Sequence, residues 1–311
     1  GQDGVYLAKL LRDQGYEVHG TSRDKEMANM AGLRLMGVYD DVTAHSAALL
    51  DFRSVLQVIG DVRPDEIYNL AGQSSVGLSF AQPVETFEGI ILGTLNILEC
   101  IRFLKLPARF YNATSGEVFG NTETPADETT PFRPRSPYGV AKSTAFWTVA
   151  NYRESYGIFA CSGILFNHES PLRPSRFVTQ KIVRGAVDIA EKRAEKLTLG
   201  NLDVSRDWGW APDYVDAMAR MLKRDEPDDY VVATGTSSTL TGFVDAVFDC
   251  LGMKSSAYVE TTPDLMRPTD IRVSVGDPAK AKAKLDWRAD TTMPKLINRL
   301  VDAELARRQT K

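Results

Sequence analysis

Arg109-Phe110-Tyr111-Asn112-Ala113 reads as a strand, residues 137–156 as a helix, and Phe159-Ala160-Cys161-Ser162-Gly163-Ile164-Leu165 as a second strand apolar enough to be buried on both faces. Strand, helix and strand in that order make a parallel crossover. The rhythm extends toward the N-terminus: residues 7–12 are helical up to Gly15, Tyr16-Glu17-Val18-His19-Gly20 is a strand, and residues 54–59 are helical. Glu66-Ile67-Tyr68-Asn69-Leu70 is the next strand and residues 93–103 the next helix. This alternation predicts an α/β doubly wound parallel sheet over residues 1–166. After Asn167 the pattern changes. Pro171, Pro174, Pro212, Pro227, Pro263 and Pro268 punctuate shorter elements: helices over 178–193, 242–251 and 294–308 and a strand at Tyr230-Val231-Val232-Ala233. Residues 167–311 are expected to form a smaller α/β substrate-binding lobe, with some elements crossing back to the sheet.

The 311 residues exceed the roughly 250–300 over which one core keeps growing, in line with two lobes. Hydrophobic residues at 43% and charged residues at 25% are ordinary for a globular chain, which excludes disorder. No apolar run approaches the roughly 18 residues that cross a bilayer, so no membrane is expected. Net charge −4 without a basic stretch argues against a nucleic-acid partner. Cys100, Cys161 and Cys250 are widely spaced, with no CxxC and no neighbouring His pair. No metal site is expected, and a reducing cytoplasm fits best. No cationic segment followed by an apolar one opens the sequence.

Three places carry chemistry. Gly1-Gln2-Asp3-Gly4 stands directly before the first helix, where glycines either make an ordinary turn or let backbone N–H groups approach a pyrophosphate. At the end of the next strand, Arg23 is either a solvated surface residue or a guanidinium that holds the 2′-phosphate of NADP. In Tyr138-Gly139-Val140-Ala141-Lys142, a phenol and an ammonium share one helical face at i and i+4. A neighbouring ammonium favours phenolate and lowers a pKa that is ordinarily near 10, making Tyr138 a plausible base for hydride transfer. Ser115-Gly116-Glu117 ends the preceding strand at the carboxyl edge, where such sheets bind ligands. Ser115 can share a substrate hydroxyl, and Glu117 can take or return a proton.

Together these residues resemble the extended short-chain dehydrogenase/reductases of nucleotide-sugar type, and most closely the GDP-mannose 4,6-dehydratase family. The likeness runs nearly end to end. It includes Tyr68-Asn69-Leu70-Ala71-Gly72-Gln73-Ser74, Ser136-Pro137-Tyr138, Asn151-Tyr152-Arg153-Glu154, Asn167-His168-Glu169-Ser170-Pro171, Leu199-Gly200-Asn201-Leu202-Asp203 and Arg206-Asp207-Trp208-Gly209. The resemblance implies a Rossmann-like fold holding NADP, with Gly1, Gln2, Asp3, Gly4, Arg23, Leu70, Ala71, Tyr138, Lys142 and His168 at the cofactor. It implies that hydride leaves C4 of GDP-mannose with Tyr138 as base, Lys142 lowering its pKa and Ser115 sharing the hydroxyl. Glu117 would remove the C5 proton, and Asn167, Lys181, Arg206, Arg267 and Asp270 would bind the nucleotide. A homodimer or homotetramer is implied as well.

The pattern departs from the family at several positions. Ser115 and Gly116 stand where Thr and Ser are usual, Arg23-Asp24 replaces a pair of arginines, and Ala48, Gln180 and Arg176 occupy places of different charge. The sequence opens inside the expected phosphate loop, so a buried strand of about ten residues with its turn is expected before Gly1. The alternatives are a dehydratase or epimerase of a related GDP-sugar such as a heptose, and a catalytically silent NADP-binding homologue. Glu117 separates dehydratase from epimerase, since epimerisation needs no base at C5.

Overall fold

The computed structural model describes residues 1–309. Its first half alternates as α1 (Gln2–Asp13), β1 (Val18–Ser22), α2 (Ala31–Leu35), β2 (Val42–Ser46), α3 (Phe52–Val62), β3 (Glu66–Asn69), α4 (Val76–Ala81), α5 (Pro83–Phe87), α6 (Gly93–Phe103), β4 (Arg109–Ser115), α7 (Pro137–Tyr156) and β5 (Ala160–Leu165). β3, β4 and β5 are parallel neighbours, and β1 pairs with β2 in parallel with Val18 opposite Val42. Among the described residues β1 and β3 do not pair, so the wound sheet comes in two pieces. An apolar slot lined by Leu7, Leu11, Val18, Ile67 and Ile97 runs between them.

The second half begins at the sheet's edge: β6 (Asn167–Glu169), α8 (Val178–Ala190), β7 (Leu197–Leu199), β8 (Ser205–Trp210), α9 (Ala211–Leu222) and β9 (Tyr230–Val232). It continues with β10 (Ser237–Thr239), α10 (Leu240–Cys250), β11 (Val259–Thr261), β12 (Val273–Ser274), α11 (Ala279–Leu285) and α12 (Met293–Gln309). β9 returns to pair with β5, and α9 packs with α1 over Tyr111, Cys161 and Leu165. A second small sheet has the order β10-β8-β12, with β6 also pairing to β8. Its core is made by α8, α10 and α12 around Ile182, Phe243, Val247 and Leu300. Separate apolar cores in the two halves are what a chain of this length needs to bury its hydrophobic surface.

Several expected elements differ in place. The strand expected at 16–20 starts at Val18, because Gly15 adopts φ +85 and the Tyr16 amide is still bonded to the Leu11 carbonyl in a helix-ending turn. Pro212, taken as loop punctuation, sits in the first turn of α9, where a missing N–H costs nothing. β2, Val-Thr-Ala-His-Ser, alternates too weakly to be legible and is defined by its parallel pairing.

Candidate active site

The carboxyl end of β4 and the first turn of α7 meet through tight backbone packing. Ser136 caps α7 by accepting the Gly139 amide at 3.0 Å, and Pro137 opens the helix. A Cβ on Gly139 would lie 3.0 Å from the Glu117 carbonyl, so a side chain there would push the helix away from the Glu117 turn. Ser115 Oγ accepts the Glu117 amide at 3.3 Å. From this platform α7 buries Tyr138 and Lys142 on one face and leaves Val140 between them exposed. Lys142 Nζ donates to the Ala113 carbonyl at 2.7 Å and lies 5.8 Å from the centre of the Tyr138 ring. Ser115, Glu117, Tyr138 and Lys142 are thus brought together on one wall.

Their charges are set by burial first. Burial pushes the Tyr138 phenol up to about 12; a hydrogen bond from Ser115 and the Arg173 charge oppose this, and the Glu117 and Asp3 charges add to it. The expected depression of this phenol is therefore absent from the protein's own pocket, where desolvation wins. Burial also brings Lys142 down to about 8, against the pull of Asp3. The lysine remains mostly charged at neutral pH. Glu117 is raised above the ordinary carboxylate range by burial, opposed by Arg206 and Arg267 and reinforced by Asp270. A carboxyl so placed is a better proton acceptor than an exposed one.

The other walls come from α1 and the second half. Gly1 caps α1 without a side-chain bond, and a Cβ at Gly1 or Gly4 would meet no atom within 4 Å, so the helix N-terminus is open toward the cavity. Gly4, expected in a loop ahead of the helix, is in its first turn. Gln2 is buried and committed: its Nε2 donates to the His168 carbonyl at 2.9 Å and its Oε1 accepts from Ser170 Oγ at 2.7 Å. Only its backbone remains for a ligand. β6 carries Asn167 and His168 into the wall by pairing with β8, whose Arg206 donates to Asp270 at 3.0 Å. Arg267 reaches the same carboxylate at 3.4 Å.

One cavity of about 1600 Å³ joins these parts. Gly1, Gln2, Asp3, Gly4, Leu70, Ala71, His168, Asn167, Lys181, Arg206, Arg267 and Asp270 all line it with the four residues of the β4–α7 wall. Arg23 does not. Its side chain is exposed and it is not among the residues lining the cavity. Arg173 was not singled out from the sequence, yet it lines the cavity, stacks on the Phe177 ring at 3.9 Å and acts on Tyr138. Its position two residues past Ser170-Pro171 was the available signal. Asp3, expected among the cofactor-binding residues, also has its Oδ2 3.1 Å from His168 Nε2.

A family model described as GDP-mannose 4,6 dehydratase matches residues 1–300. The Arabidopsis thaliana protein GDP-mannose 4,6 dehydratase 2 is 44% identical over 323 residues, covering 99% of this chain and 86% of its own. GDP-mannose 4,6-dehydratase of Vibrio cholerae serotype O1 is 41% identical over 347 residues, covering 100% and 92%. Among solved structures, a Thermus thermophilus UDP-glucose 4-epimerase in complex with NAD superposes with TM-score 0.86 at 26% identity, covering 97% of this chain and 96% of the other. A Streptomyces venezuelae dTDP-glucose 4,6-dehydratase double mutant with NAD bound reaches TM-score 0.88 at 20% identity, covering 100% and 96%, a likeness of fold. With its wound sheet, its second lobe and its β4–α7 wall, the chain belongs to the GDP-mannose 4,6-dehydratase family.

Proposed function

We propose that this protein is a hydro-lyase that converts GDP-mannose to GDP-4-keto-6-deoxymannose with NADP as its resident cofactor. The observation that carries the reading is Glu117. A half-buried carboxyl beside the Ser115/Tyr138/Lys142 set, sharing one cavity with Arg206 and Asp270, is what dehydration needs and epimerisation does not.

The residues present fit a nicotinamide dinucleotide. The open N-terminus of α1 offers backbone N–H groups to a pyrophosphate, and Leu70 and Ala71 continue the same wall toward Tyr138. When bound, the nicotinamide would accept a hydride from C4 of the sugar and later return it to C6. Tyr138 takes the proton of the C4 hydroxyl, and Ser115 Oγ holds the same oxygen by a hydrogen bond. Lys142 supplies the positive charge that favours phenolate as that proton leaves. The C4 carbonyl acidifies the C5 proton, which Glu117 accepts. The C5 electron pair forms the C5–C6 double bond as the C6 hydroxyl leaves, and the proton from Glu117 completes the water; a proton taken up at C5 when C6 regains hydride balances the one that Tyr138 removed from O4. Lys181 and Arg206 offset the diphosphate charge, and Asn167, Arg267 and Asp270 hold the nucleotide by hydrogen bonds. The choice of NADP over NAD rests on the family resemblance and on Arg23 after β1 as an exposed guanidinium available to a 2′-phosphate.

A homodimer or homotetramer is part of the same proposal. Val140, Trp147 and Tyr156 on α7 and Leu92 and Phe103 at the two ends of α6 leave large apolar side chains exposed, a surface that a second copy would cover. The three thiols are free, which suits a reducing cytoplasm. Incubation of the protein with GDP-mannose followed by mass analysis tests the reading. Loss of one water is expected, whereas an isomer of unchanged mass would overturn it in favour of epimerisation. Mass analysis of the nucleotide released on denaturation identifies the cofactor, and light scattering gives the number of copies.

A further inference from the structure

The loop from β6 to α8 sets a buried carboxylate beside Arg173. Glu169, opposite Trp210 on β6, is 2% exposed, and its Oε2 accepts from Thr179 Oγ1 in the first turn of α8 at 2.7 Å. Arg173 Nε lies 3.5 Å from the same oxygen, an ion pair at the limit of hydrogen-bond reach, and has no hydrogen-bond partner of its own among the described residues. The flat face of the guanidinium stacks on Phe177, with Cζ 3.9 Å from the ring centre. A carboxylate on one edge and a ring against the face leave this planar group little freedom. The Arg176 guanidinium is 5.3 Å from the same ring but is exposed, with no carboxylate paired to it among the described residues.

Ser170 ties this loop to the cavity. The Arg173 amide donates to the Ser170 carbonyl at 3.0 Å, and Ser170 Oγ donates to Gln2 Oε1 at 2.7 Å, so Arg173 is joined to the first turn of α1 through two hydrogen bonds. Gln180 Nε2, from α8, holds the same carbonyl at 3.0 Å. Arg173 and the open N-terminus of α1 line one cavity. The Arg173 side chain donates no hydrogen bond to a described residue, so its Nη donors are unspent while Glu169 meets its Nε. A guanidinium held in this way, near backbone N–H groups at a helix N-terminus, suits phosphate oxygens.

We infer that Glu169 is a positioning residue: anchored by Thr179, it fixes the Arg173 guanidinium on Phe177 so that the free N–H groups meet phosphate oxygens of the dinucleotide at the N-terminus of α1. The inference rests on the dinucleotide reading proposed above, and binding tests it apart from turnover. Equilibrium dialysis of the whole protein against NADP and, separately, against GDP gives the two dissociation constants. Arg173→Ala should weaken NADP by about ten- to a hundredfold, the range for hydrogen bonds from a charged donor. Glu169→Asp keeps the charge and draws it back by one methylene, so it changes the guanidinium's position alone; NADP should weaken about tenfold and GDP by less than about twofold. In an Arg173→Ala protein Glu169→Asp should cost nothing more, because the two side chains act as one unit. Unchanged NADP binding in a folded Glu169→Asp protein, equal losses for NADP and GDP, or the same loss with and without Arg173 each overturn the inference. Arg176→Ala should bind NADP as the native protein does, and a tenfold loss there would give the phosphate to the other guanidinium and overturn it too. If Glu169→Asp does not fold, Thr179→Val decides: it removes the anchor of the carboxylate, so NADP affinity should fall only where Arg173 is present, and no fall overturns the inference. A native protein that binds NADP without losing water from GDP-mannose would overturn the dehydratase reading and leave this result standing.

Discussion

Replacing Glu117 by Gln removes one proton acceptor and almost nothing else. The turn is held by the Glu117 amide on Ser115 Oγ and by α7 packed on the Glu117 carbonyl, and neither contact involves the side chain. The other carboxyl at this end, Asp270, is bound to Arg206 and Arg267 and cannot take over. With no substitute base, the loss should fall in the upper part of the range for general acid–base groups, with kcat reduced about 10³- to 10⁴-fold. That is roughly 4–5 kcal/mol of transition-state stabilisation. Stability should move the other way. Because the folded pKa of Glu117 is raised, the stability linked to its titration is present below the ordinary value of 4.5 and is lost as pH rises through the folded value. At pH 7 the Glu117→Gln protein should therefore melt no lower than the native one. The assay is mass analysis of GDP-mannose turnover in D₂O, which reads both water loss and deuterium entering C5. Native turnover in the Glu117→Gln protein, or C5 exchange at the native rate, would refute the assignment of the base. A melting temperature well below native at pH 7 would refute the account of Glu117 as a half-buried group whose ionisation costs stability.

Three further outcomes are expected. Tyr138→Phe keeps the buried ring and removes the phenol, so water loss and C5 exchange should fall together by at least about a hundredfold in turnover assays, because no 4-keto sugar forms. Asp229 accepts from both Arg153 Nη1 and Nη2 and from the Ser162 amide, so Asp229→Ala should cost about 3 kcal/mol in urea unfolding by leaving a half-buried guanidinium unpaired. Asp3 is depressed below 3.8 and His168 raised above 6.5, so the pair's stability is fully present between those values and fades as pH rises through the folded His168 value. The melting-temperature gap between the native protein and His168→Gln should be wider at pH 6 than at pH 9, and an equal gap would contradict an ionic pair.

The legible parts of the fold were those with strong local signals. The helices at 93–103 and 137–156 match α6 and α7 residue for residue, since an N-cap serine with Pro137 at one end and Gly157 in the left-handed region at the other bound the longer one. β6 and β12, of three and two residues, have no periodicity of their own and exist through their partner β8. The candidate site divides in the same way. Ser115, Glu117, Tyr138 and Lys142 could be assembled from spacing and strand order, whereas Arg173 and the Asp3–His168 contact could not. The two partners of that contact are 165 positions apart in the sequence, and no pattern in either neighbourhood names the other.

By itself the sequence determined the wound α/β plan, the family and the four residues of the β4–α7 wall, because helix periodicity, caps and strand-end motifs are local and survive without neighbours. Only the tertiary structure decided what those residues are charged with and which companions they have. It spent the side chain of Gln2 on Ser170 and the His168 backbone, and raised the Tyr138 phenol where an adjacent lysine had suggested a fall. Burial and long-range pairing set those properties, and both depend on what the whole chain places around a side chain rather than on the residues beside it in sequence.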